Sequence, residues 1–181
     1  MSNYVTQNDL LLKNLKDFYN IEGRIDLMLR VINGESKISL RIVDWFVTNY
    51  AKEKYVVYPL GKDKRIKVYD SYKLNLRAYS KKRFDPFCRW ERITIPYKEG
   101  KHIQTTIGQL NFFKWAIENK IIEYIDQNYE LIEKDMNNRN STSKKNNNNV
   151  DNKTRKKREE LSIHAVKSVK KESVDIIVKF D

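Results

Sequence analysis

The stretch Arg92-Ile-Thr-Ile-Pro-Tyr97-Lys-Glu-Gly100-Lys-His-Ile-Gln-Thr-Thr106-Ile-Gly-Gln109-Leu-Asn-Phe-Phe113 changes its hydrophobic period midway, and that change decides the fold class. Ile93, Ile95 and Tyr97 alternate with Arg92, Thr94 and Pro96, the two-residue period of a strand with one buried face. Glu99-Gly100 supplies a turn and His102 to Thr105 returns, so a β-hairpin is expected. Thr106-Ile107-Gly108-Gln109 then fits a capping box, in which the Thr hydroxyl accepts from the Gln109 N–H and the Gln109 side chain reaches back. Beyond it the period is helical: Leu110, Phe113 and Ile117 share a face, with Phe112 and Trp115 filling around it. After a break at Asn119-Lys120, Ile121, Ile122 and Ile125 start another helix, and residues 129–136 extend it as an acidic, solvent-facing turn or two.

Upstream, Leu11, Leu15 and Phe18 follow helical spacing and predict an amphipathic helix over residues 8–19. Ile25, Leu27, Leu29 and Val31 alternate, which reads as a short strand ended by the turn signal Asn33-Gly34. Leu40, Val43, Val47 and Tyr50 return to helical period behind the N-cap candidate Ser39, with Trp45 and Phe46 broadening the stripe into a core helix. Tyr55 to Tyr58 and Arg65 to Tyr69 read as short strands around a turn at 59–64. Tyr72, Leu76 and Tyr79 then mark a helix from Asp70 or Ser71 to about Ser80, before Asp85-Pro86 breaks the chain. The expected fold is therefore α+β over residues 1–136, with short antiparallel strands and four or five helices.

From Asn137 the composition shifts. Residues 137–160 hold almost no apolar side chain, so they are expected to be a disordered Lys/Asn-rich linker. In 161–181, Val174, Ile176, Val178 and Phe180 alternate. That pattern suits a C-terminal strand that pairs with the domain's edge or docks on a protein partner through residues 174–180.

The charge of +12 is unevenly spread. Residues 62–101 carry 13 basic and 5 acidic side chains, and 137–181 carry 12 and 6, while 102–136 carry 3 and 6. Two basic blocks around an acidic one favour a polyanionic partner. Nucleic acid is the expected partner, DNA ahead of RNA, with phosphate contacts from Lys64, Arg65, Lys67, Lys81, Lys82, Arg83, Arg89 and Arg92, and from the tail cluster Arg155, Lys156, Lys157 and Arg158. Interleaved Tyr69, Tyr72, Tyr79, Phe84, Phe87 and Trp90 include rings that can stack on unpaired bases if exposed, but the helical spacing of Tyr72 and Tyr79 assigns most of them to the core. A helix-turn-helix with the hairpin as a wing is disfavoured, because its outer face offers Glu118, Glu123 and Asp126 where a reading helix needs cations.

Catalysis finds little support. Only two histidines, His102 and His164, are present, and no phosphate-binding glycine motif occurs, so neither metal nor cofactor is expected. Cys88 sits among cations, but the one base available to activate it is His102. A buried structural thiol is the simpler reading. The lone cysteine excludes an internal disulfide and fits a reducing compartment. No apolar run reaches bilayer length, and the polar start Met1 to Asn8 lacks a signal-peptide pattern, so an intracellular protein is expected.

Leu40-Arg-Ile-Val-Asp-Trp-Phe-Val-Thr-Asn-Tyr-Ala51, Tyr79-Ser-Lys-Lys-Arg-Phe-Asp-Pro-Phe-Cys-Arg89, Gln109-Leu-Asn-Phe-Phe-Lys-Trp-Ala-Ile-Glu-Asn119 and the ending Val178-Lys-Phe-Asp181 resemble a family of uncharacterised proteins encoded by nucleocytoplasmic large DNA viruses of the mimivirus-like kind. The resemblance implies a viral setting: virion, cytoplasmic viral factory or host nucleus, in genome packaging, replication or late transcription. It transfers no catalytic or binding residue. The expected function is thus nonenzymatic nucleic-acid binding, and the rival is a viral structural or adaptor protein.

Overall fold

A computed structural model describes residues 6–90, 92–97, 101–147 and 170–173. Helix α1 (Gln7–Tyr19) starts from a capping box at Thr6, whose hydroxyl accepts from the Asp9 N–H at 3.2 Å while its own N–H donates to the Asp9 carboxylate at 2.9 Å. Leu15, Phe18 and Tyr19 are its buried residues.

Residues 24–32, expected to be a strand, form helix α2 (Arg24–Ile32). Alternation would leave Met28 and Ile32 outside, yet both are fully buried beside Leu29 and Val31. Ile25, Met28, Leu29 and Ile32 also follow the 3.6-residue period, and packing on both sides selects it. Asn33-Gly34 ends this helix instead of turning a hairpin. Gly34 takes the left-handed φ of 72°, and the Glu35 N–H reaches the Arg30 carbonyl at 2.9 Å, the 6→1 bond of a Schellman end.

Ser39 caps α3 (Leu40–Trp45) as expected, its hydroxyl accepting from the Ile42 N–H at 3.3 Å. The helix passes through a π turn (Phe46–Tyr50) into α4 (Ala51–Glu53). A two-stranded antiparallel sheet follows, β1 (Val57–Pro59) with β2 (Arg65–Lys67), in which Tyr58 faces Ile66. Both strands are shorter than the sequence suggested. Tyr55 adopts φ 49°, which ends the preceding helical turn, and Val68 already begins α5 (Val68–Phe84).

The hairpin is present as expected: β3 (Arg92–Tyr97) runs antiparallel to β4 (Lys101–Thr106), with Arg92 opposite Thr106 and Tyr97 opposite Lys101. On β4's other edge lies β5 (Lys170–Ser173), antiparallel, with Lys170 opposite Gln104 and Ser173 opposite Lys101. A late segment does pair with the domain's edge, although it precedes the alternating residues 174–180, which lie outside the described residues.

Thr106 caps α6 (Ile107–Glu118), its hydroxyl accepting from the Gln109 N–H at 3.2 Å, while the Gln109 Oε1 accepts from the Thr105 hydroxyl at 3.0 Å. Every residue of α6 from Ile107 to Phe113 is buried. This central helix is tied to its surroundings by side-chain hydrogen bonds. The Tyr19 hydroxyl donates to the Leu110 carbonyl at 2.7 Å, the Trp115 indole to Ser71 at 3.0 Å, and the Tyr58 hydroxyl to the Asn119 carbonyl at 2.7 Å. Lys120, at φ 53°, makes the anticipated break before α7 (Ile121–Gln127).

The last helix, α8 (Tyr129–Asn147), extends past residue 136 and covers the start of the segment expected to be disordered. It is not merely solvent-facing, since Ile132 and Met136, an i, i+4 pair hidden among charges, are buried. Asp135 accepts from the Trp45 indole at 3.0 Å, and the Arg139 guanidinium pairs with Glu53 and Asp135. These polar ties leave no trace in a hydrophobic pattern.

Candidate nucleic-acid interface

Arg89 is in the segment that follows α5 and Arg92 begins β3, while six of the expected phosphate contacts lie at the two ends of α5. Lys64, Arg65 and Lys67 belong to the β1–β2 turn and to β2, just before its first residue, and Lys81, Lys82 and Arg83 are its last turn. The regular part of α5, from Val68 to Tyr79, spans roughly 17 Å between the first group and the bend at Ser80 that precedes the second. Such a span suits an extended track, because duplex phosphates on one strand repeat about every 3.4 Å. Lys73 and Arg77, one turn apart on the exposed side of α5, lie between the two groups. Both belong to the basic block at 62–101 but were not among the expected phosphate contacts, although their i, i+4 spacing on exposed positions was the available signal.

Ion pairing divides these cations. The Lys67 ammonium lies 2.6 Å from the Asp70 carboxylate, which raises its pKa and offsets its charge. Arg92 donates a long 3.4 Å hydrogen bond to Gln104. Among the described residues Lys64, Arg65, Lys73, Arg77, Lys81, Lys82, Arg83 and Arg89 form no ion pair. All of these except Arg83, which is half-buried, are exposed. Arg155, Lys156, Lys157 and Arg158 lie outside the described residues.

The C-terminal end of α5 is shaped with particular care. Ser80 sits at φ 64°, ψ 165°, a region almost reserved for glycine, and turns the last residues out of line with the rest of the helix. Two contacts from α6 hold them there. A Cβ added to Gly108 would lie 2.8 Å from the Asp85 carbonyl oxygen and 3.2 Å from that of Lys82, so only glycine permits this approach. Asn111, itself buried, donates to the Arg83 carbonyl at 2.9 Å. Beyond the helix, Asp85 closes an Asx turn by accepting from the Phe87 N–H at 2.9 Å, and its carbonyl accepts from the Cys88 N–H at 3.1 Å. The chain thereby folds back, and the Lys82 ammonium lies 4.1 Å from the centroid of the Trp90 ring.

Most interleaved rings are core, as their spacing implied. Phe84 is fully buried, Tyr72 is buried against Phe84, Phe112 and Trp115, and Tyr79 stacks on Phe84 at 6.1 Å. Trp90 departs from this rule with 54% of its surface exposed. Its preceding hydrophobic neighbours gave no hint of that, since it follows Phe84 and Phe87, which are packed into the core.

Cys88 is half-buried, not fully enclosed, and no hydrogen bond joins it to His102 among the described residues. Among the described residues no group of three His, Cys, Asp or Glu side chains is placed to hold a metal ion, and no helix is long and apolar enough to cross a membrane. The acidic side chains of the α6–α7 unit are engaged or turned to solvent. Glu118 pairs with Lys114 and Asp126 with Lys37, while the rest of α6 is core.

No solved structure matches this chain significantly. An uncharacterized protein of Acanthamoeba polyphaga mimivirus is 45% identical over 135 residues, which cover 70% of this chain and 52% of that protein. The chain therefore spans about half the length of the curated relative it matches. The model of a family of unknown function, DUF7197, matches residues 3–181. With nearly its whole length covered and a mimivirus relative at this identity, the chain belongs to that family.

Proposed function

We propose that this viral-family protein is a nonenzymatic nucleic-acid-binding protein that contacts phosphates along α5. Genome packaging, replication or late transcription is its setting, in the viral factory or the virion. The observation that carries the reading is the run of cations that form no ion pair among the described residues, from Lys64 and Arg65 through Lys73 and Arg77 to Lys81, Lys82 and Arg83. Surface lysines that serve only solubility are normally interspersed with acids. Here the one acid between Lys64 and Arg83, Asp70, is paired with Lys67, and Asp85 just beyond the run accepts from the turn amide of Phe87.

Binding of labelled duplex and single-stranded DNA across a salt series tests this. Contact with about five phosphates gives a slope of roughly −4 to −5 for log affinity against log salt on duplex DNA. Failure to retain either form at low salt would refute the proposal and favour the adaptor reading.

A further inference from the structure

We infer that Trp90 and Lys82 form a stacking site for an unpaired nucleobase, so that the chain prefers single-stranded nucleic acid to duplex; the inference rests on the nucleic-acid reading above. More than half of the indole's surface is open to solvent, and the chain leading to it is anchored. The Asx turn at Asp85 returns the chain, Gly108 and Asn111 clamp the end of α5, and Lys82 lies over the ring. Placement of this kind reduces the ordering cost that a free side chain would meet on binding.

The neighbourhood selects the ligand's chemistry. Lys81, Arg83 and Arg89 flank the ring in sequence and form no ion pair among the described residues. An apolar peptide would have to cover these cations and desolvate them. A nucleotide strand instead offers a π-face to the indole and a phosphate to each cation. Duplex DNA keeps its base faces stacked internally and can use the cations only.

Lys82 does not block the site. An exposed cation–π contact is worth about two- to fivefold in an equilibrium constant, whereas a base stacked on an aromatic side chain is worth about five- to hundredfold. A base can therefore displace the ammonium, which moves to a phosphate. The strained Ser80 and the glycine contact at residue 108 keep the turn in position while this exchange occurs.

The test measures binding of a fluorescein-labelled fifteen-residue oligothymidylate and of a duplex of the same length to the full chain and to Trp90→Ala and Trp90→Phe. Trp90→Ala is expected to weaken the single strand about tenfold and the duplex less than twofold, with the salt slope unchanged because no charge is lost. Trp90→Phe keeps a ring and should recover most of the affinity. Indole fluorescence of the parent should be quenched by oligothymidylate, and most of that quenching should be absent from Trp90→Phe, because Trp115 is buried and half-buried Trp45 is hydrogen-bonded to Asp135 on α8. Equal losses for both ligands, or no loss for either, would overturn the stacking site while leaving phosphate binding intact. Binding of neither ligand by the parent chain would overturn both readings together.

Discussion

Gly108→Ala sets two effects of opposite sign against each other, and the geometry says which wins. Alanine is the better helix former by up to about 1 kcal/mol, and less than that in the first turn, where Gly108 stands. Against it, the new methyl would meet the Asp85 carbonyl oxygen at 2.8 Å and the Lys82 carbonyl oxygen at 3.2 Å. Both obstacles are backbone and cannot swing aside as a long side chain would. Overpacking of this kind costs about 1–3 kcal/mol. The same separation lengthens the hydrogen bond from buried Asn111 to the Arg83 carbonyl, and its loss adds about 1 kcal/mol. The expected net change is a destabilisation of about 2 kcal/mol, which lowers the thermal midpoint by about 4–8 °C for a chain of this size. Urea unfolding followed by circular dichroism should show a lower midpoint with an unchanged m-value. A midpoint equal to or above that of the parent would mean that helix propensity prevails, and that α6 does not press on the end of α5 as described.

Replacing Lys81, Lys82 and Arg83 with Ser should flatten the duplex salt slope by about two while the thermal midpoint holds; an unchanged slope there, with a changed one on replacing Arg155, Lys156, Lys157 and Arg158, would move the binding to the tail. Burial raises the Asp44 carboxyl from 3.8 to about 6, with the charge of Asp85 as the second cause. The folded state therefore holds a proton that the unfolded chain has released, and stability falls as pH rises from about 4 to about 6. Asp44→Asn should be more stable than the parent by about 3 kcal/mol at pH 7 and should lose that advantage below pH 4; an advantage that does not vary across this range would exclude titration of Asp44 as its source.

The hairpin and α6 could be read from sequence because their signals are local: alternating Ile93 and Ile95, a turn, then a Thr106 hydroxyl at capping distance from Gln109. Helix α2 could not, since Ile25, Leu27, Leu29 and Val31 satisfy the strand period while Ile25, Met28, Leu29 and Ile32 satisfy the helical one, and only the burial of Met28 and Ile32 decides between them. The end of α8 and the further helical turn after the break expected at about Ser80 escaped for different reasons. Arg139 anchors α8 through charge, and the bend at Ser80 is imposed by the packing beneath it on a residue that has no preference for φ 64°. At the candidate site, the cations were legible as composition. Their division into paired Lys67 and unpaired Lys81 to Arg83 depends on Asp70, and the exposure of Trp90 depends on how the turn at Asp85 folds back.

The π turn at Phe46–Tyr50 also sets an angular phase. A π turn holds one residue more than an α turn, and each α-helical residue advances the chain by about 100°. Everything downstream in that helix is thus rotated by one residue's step relative to α3. Trp45 before the turn reaches Asp135, and Glu53 after it reaches Arg139, so α8 is gripped from both sides of the offset. Phe46 and Tyr50, within the turn, lie against each other at 6.0 Å, and Phe46 also meets Tyr124 at 5.3 Å. The extra residue acts as a vernier between two docking partners. Removing Thr48 or Asn49 would restore a regular helix and carry Glu53 out of reach of Arg139, with no change in the apolar composition of the core.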